Sequence, residues 1–412
     1  MELITKEETG FKRTEIGLIP EDWSIVTLED AVQFLDGKRR PVKSANRARM
    51  KGKYPYYGAS GIIDYVDDYI FDDNLILLGE DGENILSRSV RLAFTVEGKI
   101  WVNNHAHVLK PLDEFDIDFL AEYLESLNYE IYNSGTAQPK LNKNACKGIP
   151  VLKPTLSEQK AIATALSEMD DLIAGLEKLI AKKKAIKQGA MQQLLTPPSK
   201  GGKRLPGFSG DWEEKRLGEI GNTYGGLTGK GKADFNNGNY KYITFLNVMN
   251  NIIIDNSMFE MVNIKPGETQ NQAKKGDLFF NTSSETPEEV GMCAVILDEI
   301  ENLHLNSFCF GFRLIDLNSI DPLFISYLIN SEIGRKFFLS LAQGATRYNL
   351  SKSNFNKIVI EIPQNKQEQN AITSVLFDMD KEIEALELKR TKFEQIKQGM
   401  MQELLTGKTR LV

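Results

Sequence analysis

One long helical sequence occurs twice in this chain, and that repeat limits what the chain can fold into. Residues 157–196 (SEQKAIATALSEMDDLIAGLEKLIAKKKAIKQGAMQQLLT) align without a gap on residues 367–406 (QEQNAITSVLFDMDKEIEALELKRTKFEQIKQGMMQELLT). The shift is constant, Glu158 to Glu368, and roughly half of the positions are identical. Apolar residues fall at Ile162, Leu166, Met169, Ile173, Leu176 and Ile180, and again at Ile372, Leu376, Met379, Ile383, Leu386 and Phe393. Spacing that alternates four and three is the seam of a coiled coil. Each helix would run about 39 residues, on the order of 60 Å at 1.5 Å per residue. Pro154 and Pro363 punctuate the starts, and Ser157 with Glu158 and Gln159 offers a cap and an acid in the first turn. Lys182–Lys184 and Lys187 suit the negative end of the helix dipole.

The segments before the helices also correspond. Gly135-Thr-Ala-Gln-Pro-Lys-Leu141 matches Gly344-Ala-Thr-Arg-Tyr-Asn-Leu350, Trp23…Leu28 matches Trp212…Leu217, and Val102-Asn103 aligns more weakly with Leu305-Asn306. The chain therefore divides into head one (1–153), helix one (154–196), a linker (197–211), head two (212–362), helix two (363–406) and a tail (407–412). Strands are expected in Leu92–Phe94, Lys99–Val108, Cys293–Leu297 and Asn306–Leu314, and helices in Ile117–Leu127 and Pro322–Ser331. The fold class is α+β: two α/β heads held apart by an antiparallel coiled coil, with a pseudo-two-fold repeat. The tail resembles the lead-in to head two, as in a closed pseudo-dimer. The competing reading is an ordinary helical hairpin inside one core.

Composition removes several classes. Apolar runs such as Cys293–Leu297 are far shorter than the roughly 20 residues that span a bilayer, and the N-terminus lacks an apolar leader. Three cysteines, Cys146, Cys293 and Cys309, form no Cys-x-x-Cys pair, so a reduced, cytoplasmic protein without structural zinc is expected. The net charge of −7 argues against a uniformly basic coat but leaves room for basic patches.

One such patch is plain. Lys38, Arg39, Arg40, Lys43, Arg47, Arg49, Lys51 and Lys53 fall in a 16-residue stretch without an acid, flanked by Phe34, Tyr54, Tyr56 and Tyr57. Cations mixed with Gly, Ser and Asn suit contact with a phosphate backbone; the bland alternative is a solvated basic loop. Gly225–Lys232 is a thinner counterpart carrying Lys230 and Lys232. The paired loops add Gln138, Lys140, Asn142 and Lys143, and Arg347, Asn349, Ser351 and Lys352. Arg, Lys, Gln and Asn are the side chains that read guanine and adenine edges. Gly189 and Gly399 either mark fraying helix ends or, with Met191 and Met401, permit close approach of a partner helix.

Catalytic signals are poor. There is no glycine-rich phosphate loop and no Asn-Pro-Pro-aromatic methyltransferase motif. His105 and His107 would share a strand face, but Phe308 and Phe310 stand at the matching places, which disfavours a metal site. Asp81, Glu97 and Lys99 have the outline of a Mg-dependent nuclease site, a pattern common by chance. A coiled-coil scaffold without DNA specificity is the other rival.

Taken in order, Ile19-Pro20-Glu-Asp-Trp23, Tyr54-Pro-Tyr-Tyr-Gly-Ala-Ser-Gly61, Gly135…Leu141, Glu158-Gln159-Lys-Ala-Ile162 and Lys187-Gln-Gly…Thr196, with their partial second copy, resemble the specificity subunit of Type I restriction–modification systems. The resemblance covers nearly the whole chain. It implies two target-recognition domains, each reading half of a split DNA sequence, and helices that set the spacer. Those helices would dock two modification subunits, which bind S-adenosylmethionine and methylate adenine N6. Motor-nuclease subunits would use ATP and Mg. No cofactor and no catalysis are implied for this chain itself.

Overall fold

A computed structural model describes residues 10–341, 344 and 348–411. The chain forms two compact units, residues 1–177 with 388–412 and residues 178–387. The division falls inside both long helices (Leu156–Leu194 and Lys366–Leu404, 39 residues each). This differs from boundaries drawn at the helix ends, because each head packs on helical residues that are distant in sequence.

In the first unit a four-stranded antiparallel sheet runs in the order Val32–Phe34, Ala106–Pro111, Leu75–Gly79, Ala93–Val96. The run Leu75–Leu78 is buried on both faces, since successive side chains alternate sides. Ile76 and Leu78 enter the core shared with the helices, while Leu75 and Leu77 enter a second core with Phe71, Ile100, Val102 and Val108. A second sheet pairs Lys51–Gly58 antiparallel with Gly61–Val66 and in parallel with Lys99–Val102. Ser24–Thr27 pairs with Pro150–Lys153 beneath the helix start.

The second unit repeats this plan. Its sheet runs Gly221–Gly225, Cys309–Leu314, Leu278–Asn281, Cys293–Val295. Phe235–Ile243 lies antiparallel to Phe259–Val262 and parallel to Leu303–Leu305. Trp212–Arg216 pairs with Val359–Pro363. Ile117–Ser126 and Pro322–Asn330 are the helices expected from sequence. All three cysteines are free and buried. Among the described residues no helix is long and apolar enough to cross a membrane.

The helical repeat docks in the same way in both units. Ile162 and Leu166 enter the first head's core together with Leu404 and Leu405. Ile372 and Leu376 enter the second head's core with Met191, Leu194 and Leu195. The expected seam is therefore partly a helix-to-head contact. Within each unit the helix segments are antiparallel: Lys397 meets Asp170 at 2.7 Å in the first, and Lys187 pairs with Asp380 in the second.

The repeated Glu-Gln pair explains the docking. Glu158 and Glu368 are each 2% exposed. The Trp23 indole donates to Glu158 at 2.9 Å, and Arg410 binds both of its oxygens at 2.6 and 2.8 Å. In the second unit Arg204 takes Glu368 with two of its nitrogens at 2.9 and 3.0 Å, beside the Trp212 indole. Gln159 accepts from the Asp116 N–H and donates to the Glu114 and Pro154 carbonyls. Gln369 does the same with Asp321, Ser319 and Pro363. The first helix is capped by Thr155, whose hydroxyl accepts from the Glu158 N–H, rather than by Ser157. Asn365 caps the second.

Removing one partner of a buried ion pair strands the other charge, at a cost of several kcal/mol that partial exposure of the arginines reduces. Arg410→Met and Arg204→Met are each expected to lose about 2 kcal/mol of unfolding free energy, measured by urea denaturation. A loss no larger than that of a surface control such as Lys408→Met would refute this account.

Candidate nucleic-acid interface

The basic stretch of the first head divides into structural and free cations. Arg39 turns inward, bonding Glu80 at 2.6 Å and the Ala106 carbonyl at 2.8 Å. Arg47 bonds Asp64 at 3.2 Å and the Val42 carbonyl, and its guanidinium lies 4.9 Å from the Tyr56 ring centre. Lys51 pairs with the same Asp64 and, with Arg47, lowers that carboxyl to about 2. Lys53 sits over Tyr54. Lys38, Arg40, Lys43, Arg49, Lys51 and Lys53 are exposed.

The loop at 133–141 is internally braced. The Asn133 side-chain oxygen accepts from the Gly135 and Lys140 N–H groups, and the Ser134 N–H donates to the Lys140 carbonyl. Glycine is required at 135, since a Cβ there would stand 1.8 Å from the Gln138 carbonyl oxygen. Gln138 and Lys140 are exposed at its tip. Asn142 serves as the cap of the short helix Lys143–Lys147, and the Lys143 ammonium lies over Phe34. Glu80 connects this loop to the basic stretch, taking Lys140 at 3.4 Å as well as Arg39.

His105 and His107 do not share a face, because the strand begins at Ala106 and His105 lies in the preceding turn. His105, half exposed, pairs with Asp81 at 2.9 Å. His107, 1% exposed, bonds Asp36 through Nδ1 at 2.8 Å and the Leu141 carbonyl through Nε2 at 2.9 Å. Both ring nitrogens face acceptors, so the ring is doubly protonated. Burial opposes that charge, but the bond to Asp36 and the proximity of the Cys146 sulfur outweigh it and raise His107 to about 10. Burial likewise opposes the Asp36 charge, and the pairing with His107 leaves that carboxyl below its usual range.

In the second head the corresponding loops also meet. Leu350 donates to the Thr282 carbonyl at 2.9 Å as Leu141 donates to Glu80 at 2.7 Å. Ser283–Ser284 pairs with Tyr348–Asn349. Ser351 caps Lys352–Phe355, and a Cβ on Gly225 would lie 3.9 Å from the Lys352 ammonium, so the two predicted segments adjoin. The glycine-rich loop is pinned by Gln270, which bonds both the N–H and the carbonyl of Thr228. Lys230 is 3% exposed and paired with Glu268, which removes it from the surface set; Lys232, Asn349 and Lys352 are exposed. Arg347 lies outside the described residues. Asn103 and Asn306 form the same turn, each accepting from the N–H two residues on, at 2.8 Å.

Other expectations are revised. Gly189 and Gly399 lie inside helices that continue to Leu194 and Leu404, so neither is a frayed end, and a Cβ on either would meet nothing within 4 Å. Met191 is buried in the second core, which takes it from a docking surface. Met401 lines a 690 Å³ cavity with Arg88, Glu122, Asp170 and Lys397. Asp81 follows the end of Leu75–Gly79 opposite to the one beside Glu97 and Lys99. The strand separates them by about 15 Å, too far for one metal site. Among the described residues no group of three or more His, Cys, Asp or Glu could hold a metal ion. Sequence reasoning passed over Asp36 and Glu80, whose partners His107, Arg39 and Lys140 include residues distant in the chain.

The family described as Type I restriction modification DNA specificity domain matches residues 20–188 and again 209–398. A type I restriction enzyme specificity subunit, MjaVIII, of Methanocaldococcus jannaschii is 27% identical over 431 residues, covering 98% of this chain and 97% of that protein. A Haemophilus influenzae protein bearing the name of a type I specificity subunit is 35% identical over 146 residues, 35% of this chain and 37% of its own length. The crystal structure of the type I S subunit from M. genitalium shares the fold, with a TM-score of 0.57 at 17% identity over 93% of this chain and 96% of that one.

Two outcomes are expected from the site geometry. Arg47→Ala lowers unfolding free energy by about 1–2 kcal/mol. Lys43→Ala and Arg49→Ala leave stability unchanged and, if each meets one phosphate, cut the salt dependence of DNA binding by about 0.9 in log–log slope per residue. Denaturation and salt-titrated binding measure the two effects, and the reverse pattern would reject the division of cations. The His107 contribution is fully present below the unfolded histidine value of about 6.5 and is lost as pH rises through about 10. The stability gap between wild type and His107→Phe should therefore shrink from pH 6.5 to 10 in urea unfolding; a gap constant over that range would contradict the charged ring.

Proposed function

This chain belongs to the Type I restriction modification DNA specificity family, and we propose that each of its two heads reads one half of a bipartite DNA target. The observation that carries this reading is the twofold occurrence of one scaffold with different loops. The same sheets and the same Glu-Gln docking present Gln138 and Lys140 in one head, and Asn349 and Lys352 in the other. Exposed cations of the first head position the phosphate backbone, and loop side chains discriminate bases at about 1–3 kcal/mol per pair.

The equivalent helix ends offer two platforms for two copies of a modification subunit. Gly399 and Met401 belong to one platform and Gly189 to the other. S-adenosylmethionine, ATP and Mg belong to such partner subunits. The helices set the spacer between half-sites. Net acidity leaves the isolated chain a weak DNA binder whose affinity the partner completes.

Sequencing of methylation motifs in cells that express this chain with its cognate modification subunit tests the reading. Gln138→Ala should relax one half of the motif, Lys352→Ala the other, and Glu97→Ala should change nothing. Four residues inserted after Leu176 should lengthen the accepted spacer. A motif unaffected by both loop variants, or DNA cleavage by the purified chain with Mg²⁺ that Glu97→Ala abolishes, would defeat it.

A further inference from the structure

We propose that His107 is a positioning residue for base reading by the first head: a buried imidazolium that locks the 133–141 loop to the basic stretch. This deepens the reading just given and rests on it. The loop is braced as one body by its own hydrogen bonds. Two backbone hydrogen bonds attach it to the sheet, the Leu141 N–H to Glu80 and the Gly82 N–H to Pro139, and together they form the bridge between Asp81 and Lys140. The His107 ring adds the bond that reaches across. One edge holds Asp36, which begins the turn Asp36–Lys38 leading into the basic stretch, and the other edge holds the loop's last carbonyl, Leu141. Asp36 is fixed in turn by the Val108 N–H at 2.9 Å. The phosphate-positioning segment and the base-reading loop thus share one rigid joint.

The acids around the ring suit a cation, and one cation, Arg39, shares the Asp36 carboxylate with it at 3.7 Å. Asp36 faces it from the turn, and Glu80 lies 3.9 Å away on the strand side, held by Arg39 and Lys140. The Cys146 thiol faces it from the short helix after the loop. Phe34 meets it edge-on at 6.1 Å.

The second head builds this joint without charge. Cys309 pairs with Asn281 as Ala106 pairs with Gly79, which places Phe310 at the register of His107. Phe310 stacks on Phe280 at 5.3 Å and meets Phe355 at 5.0 Å. The backbone bond from Leu350 is kept, and the side-chain joint is apolar. Loss of the imidazolium should therefore loosen one half-site and spare the other. A general loss of folding would not produce that asymmetry.

The experiment uses the full chain assembled with its modification subunit and measures methylation of targets altered one base at a time in each half-site. His107→Gln, His107→Phe and Asp36→Asn are compared with Gln138→Ala. The expected result is at least a tenfold loss of discrimination in the half-site read through Gln138, with the other half-site unchanged. Full discrimination in His107→Phe and Asp36→Asn, while Gln138→Ala loses it, would overturn the joint and leave the loop reading standing. No effect of Gln138→Ala on either half-site would overturn the loop reading and the joint with it. Should the variants fold poorly, the wild-type chain decides through its three histidines, His105, His107 and His304. With ¹⁵N-histidine labelling at pH 8.5, His107 should show both ring nitrogens protonated. A neutral ring there would overturn the proposal.

Discussion

The architecture depends on two carboxylates that sit where a carboxylate is costly. Glu158 and Glu368 are buried at the start of the long helices, and a buried charge without partners is strongly destabilising. Each finds an indole on its own head and an arginine that follows the other helix. Arg410 lies beyond the second helix and binds Glu158 on the first; Arg204 lies beyond the first and binds Glu368 on the second. An arginine placed after one helix can reach the start of the other only if the helices run antiparallel within each unit. Two ion pairs thus fix helix direction, and Lys397–Asp170 and Lys187–Asp380 keep the same register along the shaft of each unit.

The neighbouring glutamines are the neutral half of this device. Gln159 and Gln369 are fully buried, and each uses its amide three times on backbone groups of its own head. An amide so placed tolerates neither a shorter side chain nor an acid. This explains physically why both copies carry Glu-Gln at this point while the loops above them differ. The helices are held to one geometry by the same buried polar groups in both copies, whereas the groups beside the loops differ, His107 in one head and Phe310 in the other.

Much of this was legible because helices announce themselves locally. The four–three spacing lies within Leu156–Leu194 and Lys366–Leu404, while the compact units divide inside those helices and not at their ends. Asn103 and Asn306 were matched weakly in sequence and form one and the same turn. Ser157 misled, since Thr155 two residues earlier supplies the hydroxyl. The site was less legible because its organisation is non-local. Asp36, Glu80, His107 and Leu141 are brought together by strand pairing, and no spacing rule links them. The same cause hid the internal use of Arg39, Arg47 and Lys230, which bond Glu80, Asp64 and Glu268 across 17 to 41 positions of the chain. A count of cations finds a basic segment; only the fold shows which of them remain free.

That division of cations bears on how an acidic chain can read DNA. Arg39 and Arg47, with planar groups suited to bidentate pairing, are spent on shaping the segment. Four of the six exposed cations in the stretch are lysines, flexible point charges that attract phosphate without demanding one geometry. Lysine contacts alone give binding that tolerates any sequence and weakens steeply with salt. Under the proposed reading discrimination falls to the loops, of which 133–141 is braced by its own hydrogen bonds. In the first head a buried ion pair lies between that loop and the scaffold, and at the same register of the second head Phe310 stacks on Phe280.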